Sequence, residues 1–86
     1  MQQFVYTIRD PLGIHARPAG MLAKIAKTFP NVAITIIQND ESVKATQILK
    51  LMGLGIRQGD EVMIRAEGPS EDEAIAELQK FFSENL

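Results

Sequence analysis

Two hydrophobic periods alternate along this chain, and their order constrains the fold more than any other feature of the sequence. In three segments apolar residues recur at every second position, which is typical of a strand with one buried face. In two others they recur at every third or fourth position, which is typical of an amphipathic helix. Two shorter apolar runs, one before Thr46 and one before Gly53, predict a further strand and a short helix.

The predicted order is β-α-β-β-α-β-α. The strands run from Phe4 to about Arg9, from Val32 to Ile37, from Ser42 to Ala45 and from Val62 to Ala66. A polar turn over residues 38–41 joins the second and third strands into a hairpin. The first helix begins at about Ala16 and is closed by Pro30-Asn31, because proline cannot continue a helix.

Two polar residues mark the starts of the other helices. Thr46 is a candidate cap for the short helix that Gly53 and Gly55 interrupt. Ser70 and Glu73 match a capping box, in which the serine oxygen accepts the Glu73 N–H and the Glu73 carboxylate accepts the Ser70 N–H. The periodic positions predict the core: Phe4, Tyr6, Ile8, Leu22, Ile25, Ala26, Phe29, Val32, Ile34, Ile36, Ile48, Leu51, Val62, Ile64, Ala66, Ala74, Ile75, Leu78, Phe81 and Phe82.

All helices must bury their stripes against the same apolar face of one sheet, which defines a two-layer α+β fold. The chain has 86 residues, of which 45% are hydrophobic, and it contains no repeat and no linker. We therefore expect a single domain over residues 1–86, without a disordered segment. The chain has no cysteine, which excludes disulfides and cysteine-based metal clusters.

The charge balance and hydropathy restrict the function. A net charge of −2 and few aromatic residues argue against binding to nucleic acid. They also disfavour an RNA-binding or metabolite-binding domain of the ferredoxin-like type, an alternative with a similar element order. No run of about 18 apolar residues and no basic leader is present, so we expect a soluble cytoplasmic protein. A single histidine without neighbouring ligands predicts no metal site.

That histidine, His15, lies where a loop enters the first helix. A neutral imidazole is a nitrogen nucleophile near pH 7. The helix start supplies the free N–H groups of Ala16 and Arg17 and the positive end of the helix dipole, and the Arg17 guanidinium adds donors suited to phosphate. We interpret His15 as a phosphorylation site. The alternative is a solvent-exposed residue that weakly caps the helix, while Gly13 and Pro18 serve the turn and the helix start.

The segment Gly13-Ile14-His15-Ala16-Arg17-Pro18-Ala19 resembles the active-site signature of the HPr family, the histidine-containing phosphocarriers of the bacterial phosphoenolpyruvate:sugar phosphotransferase system. The resemblance extends through residues 50–56 and 66–68 to the end of the chain. It implies an open-faced sandwich, a four-stranded antiparallel sheet with three helices on one face. It also implies that His15 accepts phosphate at Nδ1 from Enzyme I and passes it to sugar-specific IIA domains, with Arg17 steadying the phosphoryl group.

In this family the partners dock on the apolar surface around the histidine and the second helix. On this chain the resemblance places that surface at Gly20, Met21, Leu49, Met52 and Leu54. Nothing in the sequence suggests more than a monomer, and we expect a carrier that has no cofactor and takes part in transfer without being an independent catalyst. A regulatory binding module that acts in carbon or nitrogen control by docking to protein partners is the alternative function.

The sequence departs from the family at one position. Many members from Gram-positive bacteria carry a regulatory serine at the start of the second helix, where this chain has Gln47. Glutamine cannot be phosphorylated, and the neighbouring Thr46 is explained as a helix cap. We therefore predict no regulatory phosphorylation site at this helix.

Overall fold

A computed structural model describes all residues from Met1 to Leu86. The seven elements follow the predicted order. They are β1 (Gln2–Thr7), α1 (Ala16–Lys27), β2 (Ala33–Gln38), β3 (Glu41–Lys44), α2 (Ile48–Gly53), β4 (Glu61–Glu67) and α3 (Glu71–Asn85). None of the three helices has the length and apolarity that crossing a lipid bilayer requires.

The four strands form one antiparallel sheet in the order β1-β4-β2-β3. Phe4 of β1 and Ile36 of β2 both lie opposite Ile64 of β4, so the apolar residues of the three strands share one face. The helices cover this face, whereas Val5 on the opposite face is 54% exposed. The predicted open-faced α+β sandwich is confirmed.

The core lies between the sheet and the helices and contains no buried polar or charged side chain. Every predicted core residue is either buried or packed against the buried cluster. Phe82 of α3 is fully buried, and its ring makes edge contacts with Phe4, Tyr6 and Phe81 at centroid distances of 5.9, 5.4 and 5.8 Å. These contacts fix α3 on β1, because aromatic pairs favour edge geometry and bury large areas.

The predicted ends of α1 and of all four strands were wrong by one to three residues; those of β2 and β4 differ by a single residue. β1 ends at Thr7, because Ile8 bonds to the turn before β4, donating to the Asp60 carbonyl and accepting the Gly59 N–H. α1 ends at Lys27, since the Thr28 hydroxyl bonds to the Ile25 carbonyl and the residue before Pro30 is disfavoured in helical conformation. β3 covers Glu41–Lys44, one residue earlier than predicted.

The prediction that Thr46 caps α2 was wrong. Gln47 occupies the N-cap position, and no side chain caps the helix. The Gln47 N–H donates to the Lys44 carbonyl, and the Gln47 carbonyl accepts the Leu51 N–H. The backbone therefore makes the turn into α2 without a hydroxyl.

The capping box at α3 was also wrong, although Ser70 is at the predicted N-cap position. Ser70 has φ −108° and ψ 30°, away from the extended conformation of a capping serine, and its side chain makes no cap bond. Glu71 accepts the Gly68 N–H instead. Hydrogen bonds from the Met1 amine and then from this N–H lower the pKa of Glu71.

Candidate functional site

The loop between β1 and α1 is held by Asp10. Its side-chain Oδ1 accepts the Leu12 N–H at 2.8 Å, and its carbonyl accepts the Gly13 N–H at 2.9 Å. An aspartate that bonds to the backbone two residues ahead is a common way to fix a tight turn. The loop therefore has a defined shape before it reaches His15.

A second set of contacts fixes the end of the loop against the segment before β4. Gly13 has φ +65°, and a Cβ on this residue would overlap the Ile56 carbonyl oxygen. Ile14 is buried and donates its N–H to the same carbonyl at 3.2 Å. Only glycine fits this close approach and this φ without strain. The backbone is thereby fixed immediately before the histidine.

His15 is the N-cap residue of α1, with extended backbone at φ −107° and ψ −175°. Its carbonyl accepts the Ala19 N–H at 3.0 Å, but its imidazole makes no capping bond to the helix. The side chain is 35% exposed. The interpretation of His15 as a weak cap was therefore wrong, since the ring accepts no hydrogen bond from the N–H groups of the first turn of α1.

The helix start beside His15 keeps unpaired donors. Ala16 and Arg17 are the first two residues of α1, so their N–H groups have no acceptor within the helix, and Pro18 in third place has no N–H at all. The first turn contains no acidic residue, whereas Lys24 and Lys27 lie in the last turn. The positive end of the dipole is thus not compensated by a side chain, which favours an anion there.

Arg17 is exposed and forms no salt bridge and no side-chain hydrogen bond. A guanidinium without a partner retains its full set of forked donors. It lines a shallow depression of about 300 Å³ together with His15 and four other residues. The depression is formed by Asp10, His15, Arg17, Pro18, Met21 and Asn85.

Two of these residues were not predicted to belong to the site. Asp10 was interpreted only as a loop residue, although its Oδ2 lies 3.7 Å from His15 Nε2. Asn85 comes from the end of α3, which is held against the loop because the Leu86 carbonyl oxygen accepts the Asp10 N–H at 2.9 Å. The aspartate two residues before Leu12 was a usable signal for the turn, but nothing local to the sequence placed Asn85 here.

The residues expected to form a docking surface all lie on α1, on α2 or just after it. Leu49 is 84% exposed, Met21 and Met52 are also exposed, and Gly20 and Leu54 are partly exposed. Met21 belongs to the depression around His15. Leu51 is buried and Ile48 packs against the core, as predicted. Leu49 and Met52 thus lie on the face of α2 that is not buried in the core.

A family model described as "PTS HPr component phosphorylation site" matches residues 2–84. The phosphocarrier protein HPr of Mycoplasma genitalium is 38% identical over 85 residues, which cover 99% of this chain and 97% of the relative.

Two solved structures from Thermoanaerobacter tengcongensis are similar to this chain. One, described as HPr-C-His, has a TM-score of 0.89 at 34% identity and covers 96% of this chain and 92% of its own. The other, described as an HPr dimer, has a TM-score of 0.75 at 33% identity, and the match covers 98% of this chain and 95% of the other.

The open-faced sandwich is thus shared with solved structures of phosphocarrier proteins. The chain belongs to the HPr family, the phosphocarrier components of the phosphotransferase system. The resemblance expected from residues 13–19 is confirmed over nearly the whole chain.

Proposed function

We propose that this chain carries a phosphoryl group on Nδ1 of His15, accepting it from Enzyme I and donating it to sugar-specific IIA domains. The observation that carries the proposal is the imidazole of His15. It is 35% exposed, makes no capping bond to α1, and lies beside the unpaired N–H groups of Ala16 and Arg17. We further propose a single-domain, monomeric and cytoplasmic carrier that needs no cofactor or metal. The structure contains no group of three side chains that could together bind a metal ion.

The residues at the start of α1 have separate roles in this transfer. The lone pair of Nδ1 attacks phosphorus, the N–P bond forms, and the bond between phosphorus and the donor breaks. The N–H groups of Ala16 and Arg17 stabilise the phosphoryl oxygens as negative charge accumulates on them. The Arg17 guanidinium forms charge-assisted hydrogen bonds to the same oxygens.

The docking of both partners is assigned to a surface formed by Gly20, Met21, Leu49, Met52 and Leu54. Its exposed apolar side chains adjoin the His15 depression through Met21. An apolar surface next to a reactive group is suited to a partner that must bring its own phosphoryl site close to the imidazole.

The decisive experiment is incubation with phosphoenolpyruvate and purified Enzyme I, followed by intact mass measurement and ³¹P NMR. We expect a mass gain of one phosphoryl group and an acid-labile phosphorus signal, both of which disappear in His15→Ala. A ¹H–¹⁵N correlation spectrum of the variant verifies its fold. An adduct that persists in folded His15→Ala, or no adduct on the wild type, contradicts the proposal.

We propose that α2 carries no regulatory phosphorylation site. Gln47, at the family's usual serine position, is the N-cap residue and cannot accept a phosphoryl group. Thr46 precedes it, is exposed and does not cap the helix, so Thr46 is the one hydroxyl at this helix start that the experiment has to exclude. Incubation with a serine kinase of the HPr-modifying type and ATP is expected to give no adduct, and efficient modification of Thr46 contradicts this.

A further inference from the structure

The carboxylate of Asp10 is fixed by the loop that it shapes. Its Oδ1 is occupied by the Leu12 N–H, its carbonyl by the Gly13 N–H, and its own N–H donates to the Leu86 carbonyl oxygen. The side chain is only 23% exposed. Three bonds thus hold this residue in place, and the one polar atom without a hydrogen bond, Oδ2, faces His15.

The distance between Oδ2 of Asp10 and Nε2 of His15 is 3.7 Å. This separation is longer than a good hydrogen bond but allows a direct electrostatic contact. The same ring presents Nδ1 on its other side. A carboxylate beside one nitrogen of an imidazole favours the tautomer with the proton on that nitrogen, which leaves the lone pair on the other.

We propose that Asp10 is a positioning residue for phosphoryl transfer. Its carboxylate keeps the proton of the neutral imidazole on Nε2, so that the lone pair is available on Nδ1. It also offsets the positive charge that the ring acquires in the phosphorylated state. This role of Asp10 rests on the proposed function of His15.

The step balances without a proton transfer. The Nδ1 lone pair forms the N–P bond, while the bond between phosphorus and the donor breaks and leaves its electron pair on the donor. The Nε2–H proton remains on the ring, which now carries one positive charge beside the Asp10 carboxylate. On delivery to the acceptor, the N–P electron pair returns to Nδ1 and the ring is neutral again.

One charged group around the ring acts on the imidazole and another acts on the phosphoryl group. Asp10 faces Nε2, across the ring from the phosphoryl group, so its repulsion of the phosphoryl oxygens is weakened by distance. Arg17 is the only cation that lines the same depression, and Asn85 lines it as a neutral residue. The carboxylate thus acts on the ring and the guanidinium on the phosphate.

The test compares Asp10→Asn with the wild type. The variant retains a side-chain oxygen for the Leu12 N–H but loses the charge. Asp60→Asn is the matched control, because Asp60 also holds a turn, accepting the Arg57 N–H at 2.9 Å, but does not line the depression. The measurements are the ¹⁵N chemical shifts of the His15 ring and the single-turnover rate of transfer from phosphorylated Enzyme I.

We expect the wild type and Asp60→Asn to populate mainly the Nε2–H tautomer. We expect Asp10→Asn to shift this population and to slow transfer about tenfold, which corresponds to about 1.4 kcal/mol in activation free energy. An unchanged tautomer population in Asp10→Asn contradicts the inference even if the rate or the stability falls. The ¹⁵N spectra of the ring are recorded on unphosphorylated protein, so they test the role of Asp10 by themselves. A failure of the proposed function would be seen separately, because the wild type would not become phosphorylated.

Discussion

At the scale of single residues, Arg17 is placed where helix energetics disfavour a cation. It is the second residue of α1, beside the positive end of the dipole, and no acidic side chain in the first turn compensates it. It also lacks any partner within the chain. A residue that does not stabilise its own helix is best explained by a bound anion, which the proposed phosphoryl group supplies.

Replacing Arg17 with alanine is therefore expected to separate transfer from stability. A hydrogen bond to a charged group contributes about 1.5–3 kcal/mol, so the transfer rate should fall roughly 10-fold to 100-fold. The melting temperature should stay equal or rise slightly, because an unfavourable dipole interaction is removed. Stopped-flow transfer rates and thermal unfolding measure the two effects.

Lys24→Ala is the control for this prediction. Lys24 is an exposed cation of the same helix, but it lies in the last turn, where a positive charge is favourable. Its loss should leave the transfer rate unchanged. Equal slowing by both variants would show that Arg17 acts only through the overall charge.

Gly13 and Gly55 offer a second comparison, because both have φ +65° but only one is crowded. A Cβ at Gly55 meets no atom within 4 Å, whereas one at Gly13 overlaps the Ile56 carbonyl oxygen and comes within 2.9 Å of the Arg57 Cα. Gly55→Ala should cost about 1–2 kcal/mol for the left-handed conformation. Gly13→Ala should cost a further 1–3 kcal/mol, roughly, for the forced overlap.

Urea unfolding of both variants measures these costs. Since Gly13 fixes the backbone two residues before His15, Gly13→Ala should also slow phosphoryl transfer, while Gly55→Ala should not. Equal destabilisation by the two substitutions would mean that the loop relaxes away from Ile56 freely.

The residues of the candidate site differ in how much the sequence reveals about them. His15 and Arg17 were predicted, because their chemistry depends on a loop and a helix start that are local in sequence. Asn85 was not, since it reaches the depression only through the packing of α3 on the sheet. Asp10 was recognised as a turn residue, but its approach to Nε2 depends on the direction in which α1 leaves the loop.

At the scale of elements, the start of α3 depends on Glu71. The pKa of Glu71 is lowered by hydrogen bonds from the Met1 amine and from the Gly68 N–H. A carboxylate with a lowered pKa stabilises the fold above its ordinary value of 4.5, and this contribution is lost as the pH falls through the lower folded value. Glu71→Gln should therefore lower the melting temperature at neutral pH, with the difference closing below about pH 4.5.

Glu73→Gln is the matched control at α3. Glu73 lies in the same first turn but makes no hydrogen bond to the backbone or to Met1. Its substitution should change the melting temperature less than Glu71→Gln does at neutral pH. A larger change in melting temperature for Glu73→Gln than for Glu71→Gln would instead support the capping box that the sequence predicted.

The proposed docking function of α2 can be tested at Leu49. Because this side chain is 84% exposed, Leu49→Ser should change the free energy of unfolding by no more than about 0.5 kcal/mol. If Leu49 is a central apolar contact of the proposed docking surface, the affinity of Leu49→Ser for Enzyme I, measured by calorimetry, should fall about tenfold or more.

Val5→Thr serves as the comparison for Leu49. Val5 is 54% exposed on the uncovered face of the sheet, away from the helices, and threonine keeps the β-branch that suits a strand. Its affinity for Enzyme I should match that of the wild type. A larger loss in Val5→Thr than in Leu49→Ser would move the docking surface to the sheet.

The types of the elements were predictable, but several of their ends were not. Patterns of period two and of helical period show which residues face the core. The period itself distinguishes a strand from a helix. The ends depend on individual hydrogen bonds instead. The Thr28 hydroxyl ends α1 before Pro30, and Glu71 bonds to Gly68 in place of the serine and glutamate pair that the capping-box pattern indicates.

At the scale of the whole molecule, we expect the chain to be a monomer. The short edge strand β3 carries the charged residues Glu41 and Lys44, which discourage pairing with a second sheet. Sedimentation equilibrium should give a mass of 9.5 kDa that does not change with concentration. A mass that rises towards twice this value in the micromolar range contradicts the monomer.

The order of strands in the sheet does not follow from the residue pattern. The alternation of apolar and polar residues defines which side of each strand is buried, but not which strands are neighbours. β4 lies between β1 and β2, and its pairing with β1 joins residues separated by most of the chain. Such pairings are selected by the packing of the complete core and leave no local mark in the sequence.

The position of β4 also governs how a newly made chain can fold. Synthesis on the ribosome proceeds from the N-terminus, so β1 and the β2–β3 hairpin emerge before the strand that joins them. An isolated hairpin is only marginally stable in water. A nascent chain that has not yet released residues 61–67 therefore cannot assemble the sheet, and polypeptides terminated before that stretch will remain unfolded substrates for cellular proteases.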